Sequence, residues 1–163
     1  MVYENEVWNV FGGENMKNEE KRNKYANLMG KLKKATNNEY YYEAIFIEYA
    51  ILEDRTESML KHARIKYKDN KDRSFKISKK LNMLKDRKEF QDKYIKKHMN
   101  NELLEKIYNW KNKRDKLMHD IVNLEYENED IKNIALEGEC LVIRLNNKSK
   151  LINNFLDKQL EDR

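Results

Sequence analysis

Apolar residues recur at three- and four-residue spacing along most of this chain, and the longest row is Tyr42, Ile45, Phe46, Tyr49, Leu52, Met59, Leu60 and Ala63. That period matches the turn of an α-helix, so the row predicts a helix over 39–67 that buries one face. Ile47 and Ile51 widen the apolar face, enough for burial on two sides, as a central bundle helix or one that also meets a partner subunit needs. Met16, Tyr25, Leu28, Met29 and Leu32 predict a first helix over 14–34, broken by Asn37-Asn38. Phe75, Ile77, Leu81 and Leu84 predict a short helix with Ser74 as its cap, and Phe90, Tyr94, Ile95 and Met99 predict a second over 86–99. Two longer helices follow, over 101–124 and 129–160. The expected fold is all-α, a bundle of four to five main helices with short ones between them.

Punctuation along the chain refines the picture. Gly12-Gly13 is a breaker pair, so residues 1–13 are expected to form a loose arm whose Trp8 and Phe11 seek a hydrophobic surface, with a single domain over 14–163. The charged run 68–73 reads as a solvated connection. Gly138 interrupts the apolar row of the last helix, where it costs about 1 kcal/mol against alanine, so it predicts close approach of another helix. Glu53 and Thr56 interrupt the main row of the second helix. A buried carboxylate needs a cationic or hydrogen-bonding partner, and Arg114 is one candidate for Glu53.

Composition narrows the class. The absence of proline, with only four glycines among 163 residues, suits helices and little else. Charged residues make up 39% and apolar ones another 39%, too apolar for a disordered chain. The net charge of +5 permits nucleic-acid binding without demanding it. The single cysteine, Cys140, excludes an internal disulfide, and its place on an apolar helical face predicts a buried, inert thiol. No zinc-ligand cluster is present. Residues 1–6 have neither a basic start nor an apolar run, and no apolar stretch approaches the roughly 18 residues of a membrane span. A soluble, cytoplasmic protein is expected.

The most informative chemistry lies in the run from Trp110 to Asp120, which sets Arg114 and His119 five positions apart inside a helical pattern. An imidazole titrates near neutral pH and can pass a proton, and a guanidinium grips phosphate oxygens with a planar fork. The segment resembles the motif of the HEPN domains, an arginine followed after four to six residues by a histidine, with a polar residue usually after the arginine. Asp115 fills that place. Leu103 to Trp110 before the motif and Ile121-Val122 after it are similar to the family's third long helix. Residues 44–55 resemble its earlier core helix, and 75–81 the shorter helix between them. The resemblance spans about residues 40–145 and implies an up-and-down HEPN-like bundle. A second pair, Arg55 and His62, also satisfies the loose spacing and stands two turns apart on one helical face. His98 has no partner at site-like spacing and reads as a solvent-facing histidine.

On one helix, residues five apart are separated by about 140° and 7.5 Å of rise, so Arg114 and His119 flank a seam. The resemblance implies a composite site in a homodimer, where two arginines and two histidines share a cleft. His119 is expected to act as general base or acid and Arg114 to hold the scissile phosphate. The substrate is then RNA, cleaved by its own 2′-hydroxyl to a 2′,3′-cyclic phosphate with no metal or other cofactor. Asp115 is expected to orient the partner's histidine or neutralise Arg114 at rest, and Lys111, Lys113 and Lys116 to contact phosphates. The resemblance further implies a role in toxin–antitoxin or phage-defence systems, with an antitoxin or regulatory protein as a possible partner. Three other readings stand beside this one. The chain is a non-catalytic HEPN-like module that binds RNA, nucleotides or a partner protein; or it is a purely structural helical interaction protein; or, residue by residue, Arg114 and His119 are structural and the lysines form a solvated face.

Overall fold

The computed structural model describes residues 10–62, 65–71, 73–86, 98, 100–123 and 126–161. Five helices run through them: α1 Val10–Asn37, α2 Tyr41–His62, α3 Ile77–Lys85, α4 Asn101–Asp120 and α5 Asn128–Glu161. The fold is an all-α helical bundle, and the only β-type pairing among the described residues is an isolated bridge between Lys68 and Ser74. None of these helices is long and apolar enough to cross a membrane.

Contacts between helices fix their directions. The short turn over 38–40 folds α1 back antiparallel to α2, and the middle of α1 meets the far half of α2: Lys21 lies 3.5 Å from Asp54, and the guanidinium of Arg55 sits 4.2 Å from the ring centre of Tyr25. Glu48 of α2 meets Gly138 of α5, Asn153 donates to Ser58 at 3.2 Å, and Asp157 lies 3.6 Å from His62. The rising register on both sides makes α2 and α5 parallel. The α4–α5 pair runs the other way, with Lys113 on Glu137 at 2.6 Å and Asp120 facing the loop and first turn of α5. Helix α2 is therefore antiparallel to α4. It lies at the centre, with Ala44, Ile45, Ile47, Ile51, Leu52, Met59 and Leu60 all buried.

Several boundaries differ from those the pattern predicts. Helix α1 starts at Val10, so Gly12 and Gly13 lie inside it and do not end an arm. Trp8 lies outside the described residues. Helix α2 stops at His62, five residues earlier than the apolar row suggests, and the Ile65 amide bonds back to the Leu60 carbonyl at 2.9 Å. The turn between α1 and α2 passes through Glu39 in the left-handed region, at φ 62. The short helix begins at Ile77 with Lys76 before it. Ser74 does not cap it and donates instead to Glu57 at 2.9 Å. The expected helix over 86–99 lies outside the described residues except for Asp86, which caps the end of α3, and His98, which is half-buried and not solvent-facing. Cys140 is exposed, contrary to a buried thiol.

Gly138 fulfils its expectation. A Cβ built there would lie 2.1 Å from Oε2 of Glu48 and 2.8 Å from the Trp110 ring. Both neighbours are fully buried, so neither can swing away cheaply. Gly138→Ala is expected to lower stability by about 2 kcal/mol by overpacking, despite its gain in helix propensity. Thermal unfolding of the pair of proteins checks it; an alanine variant that melts at or above the parent would contradict the packing described.

Candidate active site

Helix α4 starts sharply because the side chain of Asn100 accepts from the Leu103 amide at 3.1 Å, the N-cap interaction that satisfies an otherwise orphaned donor. Its buried face carries Leu103, Leu104, Ile107, Trp110 and Leu117. Trp110 is anchored by donating its indole N–H to the Ile134 carbonyl at 2.8 Å. By helical rotation, Arg114 belongs to the same inner stripe as Trp110 and Leu117.

A guanidinium in that position must find electrons. Its carbon lies 4.3 Å from the ring centre of Tyr49 on α2, and Nη1 bonds Asp115 at 3.1 Å. Only 20% of the Arg114 side chain is exposed, and its buried Nε has no hydrogen-bond partner among the described residues. Lys111, one turn earlier, also holds Asp115, at 2.8 Å. Burial alone would push the Asp115 carboxyl up, yet the hydrogen bonds and charges of Lys111 and Arg114 outweigh it and hold it below the usual carboxylate range. Burial raises the Tyr49 phenol above its ordinary value, helped by Glu53 and Asp115 and opposed by Arg114 and Lys111. These groups form one electrostatic unit.

His119 follows Asp115 by one turn on the same flank and is exposed. Arg114 therefore leans inward over α2 while the imidazole faces outward, the divergence that their spacing implies. Beyond the histidine, Ile121 and Val122 are exposed, Val122 at 85%. The other two predicted lysines lie elsewhere. Lys113 and Lys116 line an open groove of about 370 Å³ between α4 and α5, with Asp120, Tyr126, Asp130 and Glu137. Lys113 is tied there to Glu137. They stand well around the helix from Arg114 and do not join Lys111.

Glu53 does not pair with Arg114. Its Oε1 lies 3.5 Å from Nζ of Lys80 on α3, and Lys80 also bonds Glu57 at 2.6 Å. The ammonium is buried and both acids reach it from one face of α2, so proximity decides against the longer reach to α4. The alternative pair is likewise engaged: Arg55 bonds Asp54 and stacks on Tyr25, and the His62 ring nitrogen Nδ1 meets the Ser58 carbonyl at 2.8 Å.

Three features escaped the sequence reading. Phe46 and Tyr42, placed in the core row, are 66% and 41% exposed. Glu48, between buried Ile47 and half-buried Tyr49, is itself fully buried, with neither carboxylate oxygen hydrogen-bonded among the described residues. Its pKa is pushed up to about 9, first by burial and then by the charge of Glu139. Tyr49, the platform under Arg114, appeared only as an apolar position. Its signal was the tyrosine type itself, since an aromatic face attracts a cation.

Among the described residues, no group of three or more His, Cys, Asp or Glu side chains could hold a metal ion. Compared with protein-family models, curated proteins and solved structures, the chain matches none of them.

Proposed function

We propose that this protein is a metal-independent endoribonuclease of HEPN type, acting on RNA at a site shared by two copies of the chain. The observation that carries the reading is that one helix, α4, holds a restrained guanidinium and an exposed imidazole on adjacent turns. Arg114 rests on Tyr49 and Asp115 with its Nε unbonded among the described residues, and His119 is open to solvent. A fixed cation stabilises charge on a phosphate oxygen at little reorganisation cost. An accessible imidazole takes the proton of the ribose 2′-hydroxyl or supplies one to the departing 5′-oxygen. The bond formed is 2′-oxygen to phosphorus, the bond broken is phosphorus to 5′-oxygen, and the product is a 2′,3′-cyclic phosphate. In this reading Lys111, which holds Asp115 at 2.8 Å, contacts a neighbouring phosphate once RNA is bound. Toxin–antitoxin or phage-defence action, with an antitoxin as partner, belongs to the same proposal and rests on the resemblance of the motif.

The engagement of Arg114 by Asp115 and Tyr49 favours a second reading, a non-catalytic module that binds RNA or a protein partner. Cleavage of a labelled RNA in the presence of EDTA separates the two. His119→Ala and Arg114→Ala are each expected to reduce the rate by roughly hundredfold or more, with unchanged helicity by circular dichroism. Cleavage that survives both substitutions would exclude this pair. Binding without cleavage, weakening steeply as salt rises, would support the second reading.

A further inference from the structure

Helix α3 covers only part of the seam between α2 and α4. Its Lys80 reaches Glu53 and Glu57 of α2, and its Lys85 bonds Glu105 of α4 at 2.9 Å. Phe46 stands seven residues before Glu53, and His119 fourteen after Glu105. Those separations are close to two and four helical turns, so both side chains face the side of the seam on which α3 lies. Because α2 and α4 are antiparallel and Tyr49 lies beside Arg114, the residues before Tyr49 run alongside those after Arg114. Phe46 and Tyr42 are about 4.5 and 10 Å along the seam from Tyr49, and His119 is about 7.5 Å along it from Arg114 in the same direction. This stretch is open: Phe46 and Tyr42 are 66% and 41% exposed, and His119 is exposed.

We infer that Phe46, with Tyr42 one turn before it, is the platform on which an unpaired base of the RNA stacks while the adjoining phosphate rests on Arg114. The inference depends on the RNA reading proposed above and names the substrate within it as single-stranded RNA. A phenyl ring two-thirds open to water has no polar group to hydrate, and a flat apolar partner is what such a surface gains most from covering. A nucleobase is such a partner, and every base has a π-face, so the platform accepts all four. Its place decides the rest. Phe46 lies within one nucleotide's reach of the guanidinium, level with the imidazole and across the seam from it. In a duplex both faces of each base are already covered by its neighbours, which leaves Phe46 nothing to stack on. The ring therefore selects strand state and not sequence, and by fixing the base it positions the adjoining ribose 2′-hydroxyl towards His119. Phe46 passes no proton; it is a positioning residue.

Fluorescence anisotropy with a labelled 2′-O-methyl RNA of about ten unpaired nucleotides measures binding without chemistry, because the attacking hydroxyl is blocked. Phe46→Ala is expected to weaken binding roughly tenfold, and Phe46→Trp to retain it. Ile143→Ala, on the outer face of α5 where Ile143 is 47% exposed, is expected to leave it unchanged. Against the same backbone with its bases removed, the parent and Phe46→Ala are expected to bind alike, which a general loss of structure would not produce. The duplex of the same sequence is expected to bind the parent more weakly than the single strand. Phe46→Ala binding as tightly as the parent would overturn the platform, as would an equal loss on the base-free chain or equal binding of duplex and single strand. A parent that binds none of these chains would also overturn it, leaving the aromatic pair to a protein partner. Cleavage of the unmodified RNA by the same proteins keeps the two ideas apart. Binding that depends on Phe46, with no cleavage by the parent, upholds the platform and removes the nuclease. Cleavage with KM and kcat unchanged in Phe46→Ala upholds the nuclease and removes the platform.

Discussion

Replacing Glu48 with glutamine is expected to leave the protein about equally stable near pH 5 and to make it more stable by roughly 4 kcal/mol near pH 8. The cause is a carboxyl group buried between α2 and α5 against Gly138 and Trp110, with Glu139 nearby and no hydrogen-bond partner among the described residues. In the folded chain it titrates near 9, against 4.5 when unperturbed. Between those values the native protein keeps a proton that the unfolded chain has released. Unfolding therefore becomes easier by about 1.4 kcal/mol for each pH unit through that window. Glutamine has nearly the same shape and does not ionise, so this dependence disappears, while the cost of burying an amide stays constant with pH. Urea unfolding followed by circular dichroism at the two pH values checks it. Parallel stability profiles for parent and variant would mean that Glu48 is not held protonated.

The second large effect concerns Lys80. Its side chain is 1% exposed, and its ammonium is met by Glu57 at 2.6 Å and Glu53 at 3.5 Å, both acids about a third exposed. Neutralising both acids, as Glu53→Gln with Glu57→Gln, strands a buried ammonium and is expected to cost about 3 kcal/mol. Solvent screening of the two acids keeps the figure at the low end of the range for broken buried pairs. Lys80→Met removes the buried charge, keeps the volume, and leaves two acids that water can reach, so its expected cost is within about 1 kcal/mol. Equal losses in the two variants would show that the ammonium is not the costly member. Acid has a separate effect here. Burial would raise the Glu57 carboxyl, but the hydrogen bonds from Lys80 and Ser74 and the charge of Lys80 bring it below its usual value. That contribution is present above the unfolded value of 4.5 and is lost as the pH falls through the lower folded value. Glu48 destabilises on the alkaline side and Glu57 on the acid side, so the parent should be most stable in mild acid.

Periodicity alone made the all-α bundle legible, because a helix that buries one face must repeat its apolar residues every three or four positions. It also placed Arg114, Asp115 and Lys111 on neighbouring turns, since rotation per residue along a helix is fixed. The glycine at 138 was readable as a close contact for a similar reason: nothing but a neighbour explains its cost inside an apolar row. Spacing within one helix says nothing, however, about what the next helix presents. Phe46 fits the same apolar row as Ile45 and Tyr49, and only the packing of the bundle leaves it uncovered. Glu53 and Glu57 needed α3 to supply Lys80, and Glu48 needed α5 to close over it.

The sequence by itself determined which elements form, where a guanidinium and an imidazole diverge on one helix, and where a helix had to come close. Tertiary structure decided which carboxylate is buried, which lysines leave Arg114 for the α4–α5 groove, and which aromatic residues remain at the surface. The division has one physical origin. Local geometry follows from the rise and rotation of a single chain segment, whereas burial and charge pairing depend on groups brought together from distant parts of the chain.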